Sequence, residues 1–139
     1  MPELVFRPYA AGDFTAVTSL WEAAGLHPSQ ADTPDAMARK QLRDPELFLL
    51  AVDGARVVGT VMGSYDGRRG WINKLAVLPD RAGQDIGGRL MAEVERRLKA
   101  LGAPKVNLLI EPDNAGVVAY YERRGYATDA LIFMEKWLD

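Results

Sequence analysis

Apolar and polar positions along this chain follow first one period and then another, and the changes of period divide it into elements. Leu4-Val5-Phe6 is a short apolar stretch backed by Arg7-Pro8, which predicts a first strand. Beyond Asp13, a residue type that caps helices, Phe14, Val17, Leu20, Trp21 and Ala24 fall on one helical face, and Gly25 supplies the stop. Leu26 to Asp32 shows no period. Thr33-Pro34-Asp35 reads as a second helix start, with a hydroxyl cap and proline at the first helical position, and that helix should end before Asp44-Pro45. Leu47 to Val52 is a continuous apolar run, as expected of a strand covered on both faces. Asp53-Gly54 and Asp66-Gly67 are two-residue turn signals, so Arg56 to Ser64 and Trp71 to Val77 continue it as an antiparallel meander that Pro79 ends.

The period then turns helical. Ile86, Leu90, Val94, Leu98 and Leu101 recur every three or four residues, with Arg89, Glu93, Arg96 and Arg97 on the other side, until Gly102 and Pro104. Glu93 and Arg97 form a favourable i,i+4 pair. Lys105 to Ile110 alternates as a strand, and a strand, Gly-rich turn, helix and strand in succession predict a right-handed crossover with parallel pairing. A last helix is expected from Asp113-Asn114 to Arg124-Gly125, and Tyr126 to Leu138 should supply one or two closing strands. The fold class is therefore α/β (α+β), a single domain over residues 1–139. Its mixed, mainly antiparallel sheet should have six to seven strands flanked by four helices.

Composition narrows the chemistry. A chain of 139 residues, 48% of them apolar, should bury roughly two-thirds of the surface its unfolded form exposes, enough for one core without a staple. Cysteine is absent, which removes disulfides, thiol nucleophiles and thiolate zinc sites, and a lone His27 assembles no imidazole cluster. No metal is expected. The apolar run Leu47 to Val52 falls far short of the roughly 20 residues of a membrane span, and Met1-Pro2-Glu3 opens no signal peptide. A cytoplasmic protein without a membrane partner is the expectation. With 19 acidic against 17 basic side chains, a formal charge of −2, nucleic acid is set aside as a partner.

The turn Ala82-Gly83-Gln84-Asp85-Ile86-Gly87-Gly88 joins a strand's C-terminal end to a helix N-terminus, where backbone N–H groups and the helix dipole favour an anion. Its glycines would let a phosphate approach closely, or would only permit tight strand–helix packing. Neither Gly-x-x-x-x-Gly-Lys nor Gly-x-Gly-x-x-Gly stands at the first strand–helix turn, so ATP and NAD are disfavoured.

Leu75-Ala76-Val77-Leu78-Pro79, the turn Ala82 to Gly87, and Asn114 leading to Ala119-Tyr120-Tyr121-Glu122-Arg123-Arg124-Gly125-Tyr126 together resemble the GNAT acetyltransferases. The patterns of that family are a strand ending LAV-x-P, then R/Q-x-x-G-x-G/A, then N-x-x-A-x-x-x-Y-E-x-x-G-F/Y. Val57 to Gly63, Gly70-Trp71-Ile72 and Lys105 to Ile110 are similar to its small bacterial YpeA-like subgroup. The resemblance implies a GNAT-like fold that takes acetyl-coenzyme A and passes the acetyl group to a primary amine, on a small molecule or a peptide. It implies that main-chain groups of Leu75, Ala76 and Val77 bind the pantetheine arm and thioester oxygen, and that Ala82, Gly83, Gln84, Asp85, Ile86, Gly87 and Gly88 hold the pyrophosphate. Asn114, also a helix cap by composition, would contact the pantetheine, and Tyr121 would protonate the departing thiolate. By residue type alone Tyr121 reads rather as a half-buried packing aromatic, with Tyr120 the core member beside it.

Two positions depart from the pattern. Ala82 stands where Arg or Gln is usual, and Asp85 replaces the central glycine. A carboxylate about 4 Å from a phosphate charge would cost roughly 1 kcal/mol in water and about 4 kcal/mol at a surface-like dielectric. Asp tolerates left-handed dihedrals, so its side chain can instead turn to solvent, and Arg81 and Arg89 flank the loop to offset its charge. For the base that deprotonates the amine, Glu111 and Asn73 are candidates, Glu111 being otherwise a solvated strand-end carboxylate. His27 falls in a segment that often lines the family's acceptor site, and is otherwise a surface histidine. Trp71 and Phe48 read as core. A homodimer is possible by analogy with the family. The alternative function is a non-catalytic acyl-CoA-sensing or partner-binding module with a degraded cofactor loop; a third is a phosphate-binding protein of another kind.

Overall fold

In the computed structural model, which describes residues 3–27 and 29–138, the continuous apolar run lies inside the sheet. Phe48–Asp53 (β2) is flanked antiparallel by Val5–Pro8 (β1) and Arg56–Tyr65 (β3). Gly70–Val77 (β4) pairs antiparallel with β3, and Val106–Leu108 (β5) joins β4 in parallel, so the order is β1-β2-β3-β4-β5. Met1-Pro2, read for a leader, and Pro28 of the irregular segment lie outside the described residues. Among the described residues no helix is long and apolar enough to cross a membrane.

Helices cover both faces of β2, which is why its sequence shows no alternation. Phe14–Ala23 (α1) and Pro34–Arg43 (α2) send Val17, Leu20, Trp21 and Met37 into one cluster with Tyr9, Phe48, Leu50 and Ala76. Tyr9 stacks on Phe48 with ring centroids 4.5 Å apart, and Trp21 follows at 6.3 Å. Thr33 caps α2 as expected, its hydroxyl accepting from Ala36 N–H at 3.1 Å.

Ile86–Leu101 (α3) covers the other face, and it lies directly on backbone. A Cβ at Gly59 would sit 2.9 Å from Leu90, at Gly63 2.7 Å from Val94, and at Gly70 3.0 Å from Leu98. Leu90, Val94 and Leu98 are one turn apart, so three glycines on two strands seat one ridge of the helix. The Glu93–Arg97 pair forms as the spacing implied, at 2.7 Å.

Three expectations fail locally. Asp13 does not cap α1: its carboxylate takes Ala10 N–H at 2.9 Å and both Arg7 guanidinium nitrogens at 2.8 and 2.9 Å, fixing the turn out of β1 instead. The last helix is shorter than its pattern. Pro112–Val117 is a 3-10 turn with Glu111 at its N-cap and Asn114 inside it (φ −113, ψ 22), and α4 is only Val118–Glu122 with Val117 at its N-cap, so Asn114 caps neither. Finally, among the described residues the sheet has five strands, not six or seven. Residues 126–138 form none: the apolar run Leu131 to Met134 has no helix or strand covering it, and its side chains stay exposed. The chain divides into two compact units, Met1–Leu108 and Leu109–Asp139.

Two predictions arise from this packing. Gly63→Ala should cost about 1–3 kcal/mol, read from urea unfolding, because a methyl meets Val94 inside a filled layer. Arg7 and Ala10 N–H hold the Asp13 carboxyl below its ordinary 3.8. A carboxyl depressed in the folded state stabilises above its unfolded pKa and loses that contribution as pH falls through the folded value. The gap in thermal stability between wild type and Asp13→Asn should therefore be full at neutral pH and close below about pH 4.

Candidate active site

The fourth strand contains one residue more than its partner. Between the pairs Met62↔Asn73 and Thr60↔Ala76, β4 advances by an additional residue, and Lys74 takes a left-handed conformation there (φ 54). Such a bulge reverses the face to which every later side chain points. Gly70 and Ile72 therefore share the α3 face, whereas past the bulge Ala76 falls with Thr60 on the α1 face, inside the Trp21 cluster. A buried hydroxyl holds the kink: Thr60 Oγ1 donates to the Lys74 carbonyl at 2.8 Å and accepts from Trp21 Nε1 at 2.9 Å.

The ladder with β5 stops before this point. Parallel pairing ends at Ile72↔Leu108, but pairing with β3 runs on to Val77↔Gly59. Among the described residues, Asn73 to Val77 thus has no strand on its β5 side, and the edge groups of Leu75, Ala76 and Val77 are left for an added extended ligand. Ala76 itself is buried and Leu75 and Val77 are half-buried, so main chain rather than side chain is what they offer.

This edge leads into the glycine turn. After Pro79–Arg81 the chain passes through Ala82, Gly83 (φ 85), Gln84 and Asp85 (φ 57, ψ 27) before α3 begins. Arg89 N–H makes a helical bond to the Asp85 carbonyl at 3.0 Å, and the N–H groups of Ile86, Gly87 and Gly88 are the helix's open donors. Ala82 through Asp85 are exposed, whereas the Ile86 side chain is buried. Asp85 does adopt the left-handed dihedral. Of the two flanking arginines, Arg81 is shared between Asp53 at 2.8 Å and Gln84 of the loop itself at 2.9 Å, and Arg89 lies over the Phe6 ring at 4.9 Å. Positive potential here comes from amides and the α3 dipole.

In the second unit, Tyr121 stands on α4 between Tyr120 (centroids 5.3 Å) and Tyr126 (5.8 Å), both edge-on. Burial, reinforced by Tyr120 and opposed by Arg124, raises the Tyr121 phenol above its ordinary 10.0. The phenol keeps its proton at neutral pH. Tyr120 and Tyr121 are both half-buried, and Tyr120 carries Arg124 over its ring at 4.6 Å. Glu111 is exposed at the start of the 3-10 turn, its carbonyl accepting from Asn114 N–H at 2.9 Å, and Asn114 is exposed as well.

Phe48 is core, but Trp71 is 39% exposed, because the α1 cluster gathers at the Ala76 end of β4. His27 and Asn73 are exposed. Thr60 and Lys74 were not legible as site residues. A lone hydroxyl in the buried stretch Val57 to Met62 was the signal for Thr60, and nothing in Asn73-Lys74-Leu75 marks a bulge.

A family described as "Acetyltransferase (GNAT) family" matches residues 14–126. An acetyltransferase of Pectobacterium atrosepticum is 39% identical over 132 residues, covering 95% of this chain and 94% of that protein. Among solved structures, Ard1 from Thermoplasma volcanium aligns with TM-score 0.81 at 20% identity, covering 91% of this chain and 84% of its own. PaiA N-acetyltransferase from Thermoplasma acidophilum, solved in complex with coenzyme A, aligns with TM-score 0.81 at 15% identity over 94% and 93%. At those identities the two structures speak for the fold.

Proposed function

The chain belongs to the GNAT acetyltransferase family and is an N-acetyltransferase, and on that premise we propose that it moves the acetyl group of acetyl-coenzyme A onto a primary amine by direct attack in a ternary complex. The observation that carries this reading is the unpaired main-chain edge of β4 running into the amide-lined turn at α3. An extended arm ending in a pyrophosphate fits such an edge followed by such a turn. The subgroup we assign is the YpeA-like one, on Val57 to Gly63, Gly70 to Ile72 and Lys105 to Ile110.

Leu75, Ala76 and Val77 hold the pantetheine through backbone bonds, and an edge N–H polarises the thioester oxygen as negative charge develops on it. Ile86, Gly87 and Gly88 supply amides to the pyrophosphate, and Asn114 a contact to the pantetheine. The donor supplies an activated acetyl carbon. The amine nitrogen bonds to it as the carbon–sulfur bond breaks, Tyr121 gives its phenolic proton to the departing sulfur, and Glu111, or water, takes the proton that the amine releases. With no cysteine in the chain, no acyl-cysteine step is available. The acceptor is a small-molecule or peptide amine.

Ala82 and Asp85 favour a second reading, an acyl-CoA-sensing or partner-binding module without turnover. Calorimetry with acetyl-coenzyme A and a thiol-release assay over spermidine, a lysyl peptide, an N-terminal alanyl peptide and an aminoglycoside separate the two. Turnover on any of them supports the transferase, whereas tight binding with none supports the sensor. Tyr121→Phe should lower kcat by about 10²–10⁴ and leave coenzyme A affinity unchanged; equal turnover would remove Tyr121 from the chemistry. Asp85→Gly fits φ 57 without strain and removes the acidic charge. It should tighten coenzyme A binding about tenfold or more, and an unchanged affinity would show that the carboxylate already faces away.

A further inference from the structure

Lys74 and Asp85 are the non-glycine residues with left-handed backbone among those described. Asp85 is of a type that accepts this conformation, but lysine is not, and glycine would adopt the same dihedrals without a Cβ clash. What a glycine would lack is the ammonium. The Lys74 Nζ lies 4.7 Å from the Trp21 ring centroid, 3.1 Å from Asp32 Oδ2 and 3.5 Å from the His27 carbonyl. The Lys74 and Asp32 side chains are only 17% and 12% exposed. The same lysine is thus held at both ends, since Thr60 joins its carbonyl to the Trp21 indole N–H.

Asp32 belongs to the irregular segment between α1 and α2. It accepts from Ser29 N–H at 2.9 Å, Asp32 N–H donates to the Ser29 carbonyl at 3.1 Å, and Ser29 Oγ accepts from Ala31 N–H at 2.9 Å. This small turn is closed on itself, but Ser29, Gln30 and Ala31 are exposed. Leu26 before it packs on the core and Thr33 after it caps α2. Between those anchors, the ammonium of Lys74 is what ties Asp32, and with it the turn, to β4.

We infer that Lys74 is a positioning residue for the acceptor: through Asp32, Trp21 and the His27 carbonyl it holds His27 and the turn Ser29 to Asp32 against the bulged stretch of β4. One residue then serves both the kink that frees the thioester-binding edge, through its backbone, and the wall beside which an amine enters, through its ammonium. This rests on the transferase reading of that edge. The kink is a property of the backbone, which glycine can adopt, and the wall is a property of the charge, so substitutions separate them.

The test compares Lys74→Gly, Lys74→Arg and Asp32→Asn in the full chain. Hydrogen exchange is followed on peptides covering residues 26–33, coenzyme A binding by calorimetry, and acetyl transfer with spermidine and with a lysyl peptide. Lys74→Gly and Asp32→Asn should speed exchange at Ser29, Ala31 and Asp32 by about tenfold or more. They should raise the acceptor KM about tenfold with kcat and coenzyme A affinity within about twofold. Lys74→Arg should restore protection and KM, because a guanidinium also pairs with carboxylate and stacks on indole. Unchanged protection in Lys74→Gly overturns the inference. So does a parallel loss of coenzyme A binding, or an arginine variant as impaired as the glycine one. If the wild type acetylates neither amine, the N-terminal alanyl peptide and the aminoglycoside take their place; if it acetylates none of the four, the proposal for the acceptor falls with the transferase reading, and the exchange result alone decides whether Lys74 holds the turn.

Discussion

The single extra residue in β4 constrains everything built around it. Without Lys74 in its left-handed conformation, Ala76 would face α3, and the cluster of Thr60, Trp21 and Ala76 on the α1 face would lose its floor. The kink also coincides with the end of pairing to β5, so it turns a central strand into one with a free edge partway along its length. Backbone strain of this kind persists only where surrounding contacts outweigh it. Here a hydroxyl holds the carbonyl side, and an indole and a carboxylate hold the ammonium side.

The electrostatics of the glycine turn follow from a similar sharing of parts. Arg81 is shared between Asp53, the last residue of β2, and Gln84 of the turn itself, and Arg89 lies over Phe6 on β1. One arginine thus braces the turn from its flank, and the mouth of the turn presents peptide N–H groups and the dipole of a helix of 16 residues. An acidic side chain at the mouth of such a turn works against that field. Its position was legible, and so was the tolerance of Asp for a left-handed backbone; that the position is left-handed is a finding of the structure.

Much of the fold could be read from periodicity because local and tertiary demands agree. Asp53-Gly54 and Asp66-Gly67 turn where expected, with Gly54 and Gly67 at positive φ, and the helical repeat from Ile86 to Leu98 is the buried stripe of α3. The failures have separate causes. Asp13 had a better partner in Arg7 than in the helix it precedes, a contact that no local pattern encodes. Proline at 112 starts a 3-10 turn that consumes the first residues expected of α4. The run from Leu131 to Met134 has the apolar composition that makes β2 a strand, but β2 is covered on both faces by helices whereas these residues are exposed. Of the candidate site, the amide turn and the motif tyrosine were readable, whereas Lys74 was not, since its role arises from residues more than forty positions away in sequence.

The glycine seat of α3 also decides where the molecule can move. A helix resting on bare strands through Leu90, Val94 and Leu98 cannot slide or tilt without emptying close-packed volume, so the turn at its N-terminus is carried on a stiff support. The turn Ser29 to Asp32 is different in kind, secured by polar contacts at a half-wet surface. Contacts of that sort open and re-form far more often than a packed layer does. Adjustment to ligands of different size is thus confined to one side of β4, and the other side keeps its dimensions whatever is bound.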